Sequence, residues 1–536
     1  MKTAKHIISL FDQYKSARTT WEDTWQEVAD NLVGRREFKT DVYQGGRQRL
    51  AKIYDGTGMR SAQLFASAIS SLLTNPSTKW FNLAFADKAM RENYDFQLWL
   101  QEVEENIRFA FSRPEARFQP QIHETYTDLI NFGTGGLAVL EDPADGTYFV
   151  SRNLNELYLA ENAKGDVDTV FRSFELTARQ VEQEYPGESE EAKRLVERGQ
   201  PEQKMKIINA IMPNGDFSKG AIGPRGMAYS SIHVLNSEGN AQILREGGFY
   251  EKPIMTPRWE KDSGEIYGRG PGIQALPDAK MLNQMNKTML KAGQKSVDPP
   301  LMTSDRGVFG NVRTHAGGNT IVRLDGSGRF PIQELNSPKN FQIGLELIKA
   351  KQEDVEGAYH ADILEVFRQP HMTATQVIEI SNQVQRILAP VLGRQQNELL
   401  EPMVARVLML EFRAGRLPTP PAGLENPIVN VEYQSPVARA QQASEKQALL
   451  EAAGSIIQLA TANPDVLDNL DMDVLTRHIW ELGGLPVEVV RSVDDVGAIR
   501  QQRAKEQAAQ QKAAMMMQVA ELAVKAGGGE APAEAV

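Results

Sequence analysis

Residues 371–416 read HMTATQVIEISNQVQRILAPVLGRQQNELLEPMVARVLMLEFRAGR. Apolar side chains recur at Val377, Ile380, Val384, Ile387, Val391, Leu399, Met403, Val407 and Leu410. Steps of three and four keep one face of a helix buried, so the spacing predicts a helix through almost the whole stretch. Thr373 and Gln376 stand at capping-box spacing, where the hydroxyl accepts a backbone N–H and the amide reaches back. Gly415 and then Pro418 supply the stop. A helix of roughly 40 residues spans roughly 60 Å at 1.5 Å per residue, the breadth of a whole domain. Pro390 and Pro402 each remove a backbone donor, and a bend is expected at either. The stretch has no cysteine, and its one histidine comes first. So much chain in one element without chemistry reads as architecture.

The totals point the same way. The chain has 536 residues, enough for several regions and a large core. Hydrophobic residues make up 41% and charged residues 24%, the balance of a soluble globular protein. No apolar run approaches the roughly 20 residues that span a bilayer, so no membrane partner is expected. The N-terminal MKTAKHIISLFDQYKSARTTWEDTW has too short an apolar core for a signal peptide and continues as an amphipathic helix. Production in a host cytoplasm is the expectation. Cysteine is absent, which excludes disulfides, thiolate metal sites and cysteine nucleophiles. The net charge of −11 disfavours tight nonspecific nucleic-acid binding, because each phosphate contact needs a cation. It does not exclude a wall past which DNA slides without sticking.

Along the chain the expected class is α+β, predominantly helical. Residues 1 to about 140 read mostly as helices, at 61–73, 95–111 and from 121 to Gly133, with a strand in KWFNLAF (79–85). From 143 to 260 the texture alternates. TYFVSRN, DTVFRSFEL, KMKIINAIMPN, SSIHVLN and AQILREGGFYE read as strands, with TARQVEQEY and EEAKRLVERG as helices among them. A helix is expected to begin near Pro277-Asp278 and to end at Asp298-Pro299-Pro300. On its wheel Leu282, Met285, Met289 and Ala292 share one face. Lys280, Lys287, Lys291 and Lys295 form a stripe roughly opposite, at about 100° per residue. A Gly-rich stretch with a hairpin in NTIVRLDGSGRFPIQEL (319–335) follows, then a second helix in 341–367. The C-terminal hundred or so residues are helical and rich in Ala and Gln, and GGGEAPAEAV is expected to be a disordered tail.

Chemistry is scarce. The dipeptide Gly-Lys of a phosphate-binding P-loop does not occur. Gly268-Arg269-Gly270-Pro271-Gly272 imitates a dinucleotide loop, but the third glycine of that pattern would fall at Ile273 and proline removes an amide the loop would use. A structural turn is the better reading. His123-Glu124 begins like a zinc-protease motif, but position 127 is Thr. The seven histidines show no ligand spacing, and the carboxylates are dispersed. No catalytic residue, metal site or cofactor is expected. The lysine stripe has two readings: a solvated helix face, or the lining of a passage in which a ring repeats each lysine as a positive band facing a polyanion.

Several stretches together resemble the portal, or head-to-tail connector, proteins of short-tailed double-stranded DNA bacteriophages. FDQYKSARTTWEDTWQEVADNL (11–32) resembles the family's opening helix, and SAQLFASAISSLLTNPSTKWFNL (61–83) its small-residue helix and Trp-Phe strand. IYGRGPGIQALPDAKMLNQMNKTMLKAGQKSVDPPLM (266–302) resembles the first stem helix and its approach. HMTATQVIEI (371–380) and LAPVLGRQQNELLEPMVARVL (388–408) resemble the long helix after the channel loop. SPVARAQQA (435–443), NPDVLDNLDMD (463–473) and VRSVDDVGAIRQQRA (490–504) resemble the C-terminal part. The similarity runs through most of the chain in the family's order.

The resemblance implies a portal fold: an α/β wing over 1–265, an approach and first stem helix over 266–297, and a small α/β clip over 298–340. A second stem helix and channel loop over 341–371, a long wing helix and return over 372–435, and a helical crown with a disordered tail over 436–536 complete it. The stem helices themselves would be 277–297 and 341–358. It also implies a homo-oligomeric ring, a dodecamer, at one capsid vertex of the virion. Double-stranded DNA would pass through the channel. The terminase large subunit, the major capsid and scaffolding proteins and the tail adaptor proteins would be partners. Lys287, Lys291, Lys295, His360, Arg368 and His371 are then the DNA-channel candidates. Two other readings stay open: a structural neck or tail adaptor ring, and an enzyme with an unrecognised carboxylate site in 143–260.

Overall fold

The computed structural model describes residues 3–38, 50–237, 240–297, 301–303, 321, 332–334, 341–361, 386–424, 429–433, 436–462, 470–483 and 486–526. It divides into two compact units. One comprises Met1–Asn82, Asn106–Leu417 and Tyr433–Val437; the other comprises Leu83–Glu105, Pro418–Glu432 and Ala438–Val536.

Helix α1 (Ala4–Val28) starts where the Thr3 hydroxyl accepts the His6 N–H, and it passes through one π-turn before Gly34 stops it. Helix α2 (Thr57–Leu73), strand β1 (Phe81–Phe85) and helices α3 (Lys88–Glu92), α4 (Tyr94–Ser112) and α5 (Phe118–Phe132) follow. Strands β2 (Leu137–Asp142) and β3 (Gly146–Ser151) make a hairpin. Strands β4 (Leu157–Glu161) and β5 (Val167–Thr177) come next, then helices α6 (Ala178–Glu184) and α7 (Glu190–Glu197). Strands β6 (Lys204–Pro213), β7 (Tyr229–Ser237), β8 (Asn240–Phe249) and the short β9 (Ile254–Met255) complete the strand-rich part.

Strands β4 to β8 form one antiparallel sheet in chain order, while β9 joins the β2–β3 hairpin. The run KMKIINAIMP shows why. Ile208, Ala210 and Met212 meet Ile7 and Phe11 of α1 on one face, while Ile207 and Met205 meet Val181 of α6 and Leu195 of α7 on the other. A strand covered on both faces reads as nearly continuous apolar sequence instead of clean alternation. Ile7 and Phe11 are essentially inaccessible to solvent, and each contributes about 1.5–3 kcal/mol by burial. Arg18 ties α1 down further. Its guanidinium donates to the carbonyls of Leu154, Asn155 and Leu157 at 2.7–3.1 Å and lies 3.7 Å above the Tyr158 ring. The capping box at the start of α6 is complete: the Thr177 hydroxyl accepts the Gln180 N–H, and the Gln180 amide oxygen accepts the Thr177 N–H.

Helix α8 (Pro271–Val297) and helix α9 (Phe341–Ala358) pack on one another. α8 begins six residues before the expected Pro277. Pro271 occupies the first turn, where no N–H is required, and the Gly270 carbonyl accepts from Ile273 and Gln274. Pro277 lies inside the helix at an exposed position, where it removes one backbone donor. Between the two helices, strand β10 (Leu301–Thr303) pairs antiparallel with strand β11 (Ile332–Glu334). Of the expected hairpin within 319–335, the second strand is present as β11, and the first lies almost entirely outside the described residues.

The expected helix start at Thr373 lies outside the described residues. From 386 the chain is helical, widens to a π-turn over Gln396–Leu400, and continues as α10 (Glu401–Arg413). The Glu401 N–H reaches back five residues to the Gln396 carbonyl. The widened turn stands directly before Pro402, whose missing N–H would leave the Glu398 carbonyl without its α-helical donor. Before Pro402 the helix thus shows a local change of register.

In the second unit, Phe85 stacks on Trp99 with centroids 6.5 Å apart, and the Trp99 indole donates to the Pro418 carbonyl at 3.0 Å. Strand β12 (Val429–Tyr433) pairs with β1. Helices α11 (Pro436–Ala462), α12 (Met472–Leu482) and α13 (Val493–Ala526) follow, and Arg500 of α13 forks onto Asp473 of α12 at 2.6 and 2.7 Å.

Candidate functional site

The α8–α9 pair is the first candidate. Its lower half is pinned by one carboxylate. Asp55 accepts the Thr57 N–H at 2.7 Å, the Asn286 amide at 3.0 Å and the Gln352 amide at 2.8 Å. It thereby joins the start of α2 to both α8 and α9. Asn283 of α8 accepts the N–H groups of Tyr54 and Asp55 at 2.8 and 3.1 Å and donates to the Asn31 carbonyl at 3.1 Å. Lys351 of α9 bridges Asp278 of α8 at 2.9 Å. Burial by itself would raise the Asp55 carboxyl, but its hydrogen bonds from Thr57, Gln352 and Asn286 outweigh that and hold it below its ordinary value. A depressed folded-state value means that the contribution to stability is present above about pH 3.8 and is lost as pH falls through the folded value. Asp55→Asn is therefore expected to cost about 1–2 kcal/mol at pH 7 and to flatten the acid limb of a urea-midpoint-versus-pH curve.

The lysine stripe divides along the helix. Lys280 pairs with Glu27 of α1. Lys287 is half-buried, its ammonium 5.5 Å from the centre of the Tyr54 ring. Lys291 and Lys295 are exposed, beside a shallow groove shared with Leu345 and Ile348 of α9. His360, just past α9, has a backbone φ of +52° and sets its ring edge against Phe65, 5.7 Å between centroids. Arg368 and His371 lie outside the described residues. The structure thus brings Lys291 and Lys295 together on one exposed surface and gives Lys287 and His360 local partners.

A second cluster escaped the sequence reading. Arg258 is 2% exposed, and all five of its guanidinium N–H groups have acceptors. Glu398 takes a fork from Nε and Nη2 at 3.1 and 2.7 Å. Glu161 and the carbonyls of Ile266 and Gly165 take the rest. Lys261 holds Glu161 at 2.6 Å, and the Gln395 amide donates to the Arg258 carbonyl at 2.7 Å. The π-turn is where Glu398 stands. Further along α10, Arg406 donates to the Val139 carbonyl at 2.9 Å, and Glu411 accepts from Thr147 at 2.7 Å. The polar residues of this helix hold it to β2, β3 and the 258–266 segment.

In the strand-rich region several carboxylates are committed to ion pairs. Glu156 pairs with Arg172, Glu175 with Lys204, Glu184 with Arg245, and Glu251 with Arg406 and Arg413. His233 is held down to about 4 by burial and by the charges of Arg245 and Arg172, so it is neutral at pH 7. Among the described residues no group of three metal-ligating side chains occurs, and no helix is long and apolar enough to cross a membrane.

Paired helices with strands at their far end, long helices, and charged groups committed to internal ties describe a protein that holds a shape. Residues 4–490 match the family model of the bacteriophage head to tail connecting protein, and the chain belongs to that family. It is a structural component of the phage virion at the head–tail junction, not an enzyme. The chain is 30% identical over 522 residues to the portal protein of Salmonella phage epsilon15, covering 95% of this chain and 93% of that one. It is 28% identical over 535 residues to the probable portal protein of Bordetella phage BPP-1, covering 98% and 95%. Among solved structures, a chain from the neck of an empty gene transfer agent particle matches over 84% of this chain and 94% of its own length, at 13% identity. Its TM-score of 0.37 is too low to bear weight.

Proposed function

We propose that copies of this chain close into a ring, a dodecamer, at one capsid vertex of a short-tailed double-stranded DNA phage and form the portal through which DNA is packaged and ejected. Heterologous contacts between identical subunits generate such a ring when the rotation closes. The observation that carries the reading is the antiparallel excursion α8–β10–β11–α9, within a family match that runs almost the length of the chain. In this reading α8 and α9 are the stem and 298–340 the clip that docks the terminase large subunit and later the tail adaptor proteins. Residues 359–371 make the channel loop. Residues 1–265 and 372–435 form the wing, facing the major capsid and scaffolding proteins, and the helices after 436 form the crown. A neck adaptor ring would need no such paired helices with strands at their tip.

Electron microscopy of the purified protein tests this directly: rings with a central hole are expected, and a monodisperse monomer would overturn the reading. Lys291 and Lys295 are the strongest channel candidates because they are exposed and carry no ion pair among the described residues, whereas Lys287 rests on Tyr54. The double variant Lys291→Glu, Lys295→Glu is expected to assemble rings normally and to lose packaged DNA. Undiminished packaging would remove these two residues from the channel wall.

A further inference from the structure

On the face of the five-stranded sheet opposite α1 lies a cavity of about 870 Å³. Its floor is a ladder of polar side chains set by strand register: Arg172 of β5 stands opposite Asn209 of β6, Asn209 opposite His233 of β7, and His233 opposite Arg245 of β8. Side chains at such positions are nearest neighbours across a sheet. The Tyr185 hydroxyl meets the His233 ring at 2.5 Å. Arg406 and Arg413 of α10 reach the cavity from one side and Arg152 from another. Four of these five arginines lie against aromatic rings: Arg172 on Phe174, Arg245 on Tyr185, Arg406 on Phe249 and Arg413 on Tyr250. The same four are paired with glutamates.

Arg152 is different. Among the described residues no side chain lies within hydrogen-bond or ion-pair distance of its guanidinium, and its Nε is buried without a partner. Burial and the neighbouring Arg172 charge lower it to about 10, and the more distant Glu156 charge offsets this only in part. A half-buried cation without a direct partner beside a cavity is a cost to the isolated chain, because buried charges are normally paired.

We infer that this cavity is a docking site for an acidic segment of a partner protein, whose carboxylate completes Arg152. Three features select that occupant. A guanidinium presents its fork to a planar carboxylate in a two-bond geometry. The space far exceeds a single inorganic anion, and its walls include Leu140, Leu176, Ile211 and Leu410, which suit apolar side chains flanking the acid. DNA fits poorly: a duplex brings one charge about every 1.7 Å, whereas the cavity offers one unpaired cation. The site is independent of the ring reading, since a monomer would carry it equally.

The test uses the full chain and two peptides carrying a neutral dye, acetyl-Leu-Glu-Leu-amide and acetyl-Leu-Gln-Leu-amide, followed by fluorescence anisotropy. The glutamate peptide is expected to bind saturably and roughly tenfold more tightly than the glutamine one, the worth of one charge-assisted hydrogen bond. Arg152→Gln is expected to bring both peptides to the same weak affinity, with a melting temperature unchanged or about 2 °C higher. Asn209→Asp, nearly isosteric, places a carboxylate on the floor and is expected to weaken the glutamate peptide to a similar extent. Equal binding of the two peptides to the native chain would overturn the proposal. So would unfolding of Arg152→Gln, which would make the residue a structural tie, and so would complete displacement of the peptide by millimolar phosphate or by duplex DNA.

Discussion

Arg258→Met is expected to destabilise the first unit by about 3–5 kcal/mol, the cost of leaving one side of a buried ion cluster unpaired. The substitution keeps the stem of the side chain, so little packing is lost. What remains is the charge left behind. Glu398 loses a two-bond fork, retaining the backbone N–H of residue 258 at 2.9 Å and Arg394 at 3.5 Å. Glu161 keeps Lys261 at 2.6 Å and suffers less. The carbonyls of Ile266 and Gly165 lose their donors as well. Because the penalty comes from the uncompensated partner, Arg258→Met combined with Glu398→Leu should recover a substantial part of it. Urea denaturation of the two single variants and the double variant measures the coupling. If Arg258→Met shifts the midpoint no more than an exposed ion-pair variant such as Arg179→Met, whose pair with Glu202 is worth about 0–1 kcal/mol, the cluster does not hold the helix.

That cluster was invisible in the sequence, and the reason is distance along the chain. Arg258 finds Glu161 at 97 residues and Glu398 at 140, so no local pattern in TPRWEKD marks it. The ladder Arg172–Asn209–His233–Arg245 is hidden differently. Each residue taken singly is an ordinary polar position on a strand, and only the register of four strands sets them in a row. Strand β4 escaped because LYLAE is a short apolar run, and Leu157, Tyr158 and Leu159 are all buried, without the alternation that marks a one-faced strand. Helix periodicity, by contrast, located α5 with its stop at Gly133 and set Lys291 and Lys295 on an exposed face. It could not foresee that Tyr54, from a separate part of the chain, would cover Lys287. The long helix without catalytic chemistry is held in place by polar contacts. Its charged residues Glu398, Arg406 and Glu411 are ties to the strand-rich region, which a hydrophobic periodicity does not record.

The string Gly268-Arg269-Gly270-Pro271-Gly272 makes the other large prediction. It is a structural turn, and its glycines are required by contact. A Cβ on Gly268 would lie 2.3 Å from the Gly133 carbonyl oxygen, one on Gly270 would lie 2.5 Å from that of Ile130, and one on Gly272 would lie 2.5 Å from that of Asn131. The reciprocal position, Gly133, has φ +79° and would place a Cβ 2.2 Å from the Gly268 oxygen. Two stretches of backbone therefore lie directly on each other where α5 ends and α8 begins. The carbonyl end of one helix there meets the amide end of the other, an arrangement their dipoles favour. No flexible side chain stands in the way to yield. Gly133→Ala combines left-handed strain with overpacking and is expected to cost about 2–5 kcal/mol. Gly270→Ala carries the overpacking alone, about 1–3 kcal/mol. Two controls separate the causes. Gly199 has φ +76° with nothing within 4 Å of its Cβ position, so Gly199→Ala pays only the strain, about 1–2 kcal/mol. Gly293, inside α8 with nothing within 4 Å, should be stabilised by alanine by up to about 1 kcal/mol. Thermal or urea midpoints of the four variants give the order. Should Gly133→Ala fall no further than Gly199→Ala, the seam accommodates a methyl group and the glycine string owes its presence to something other than contact.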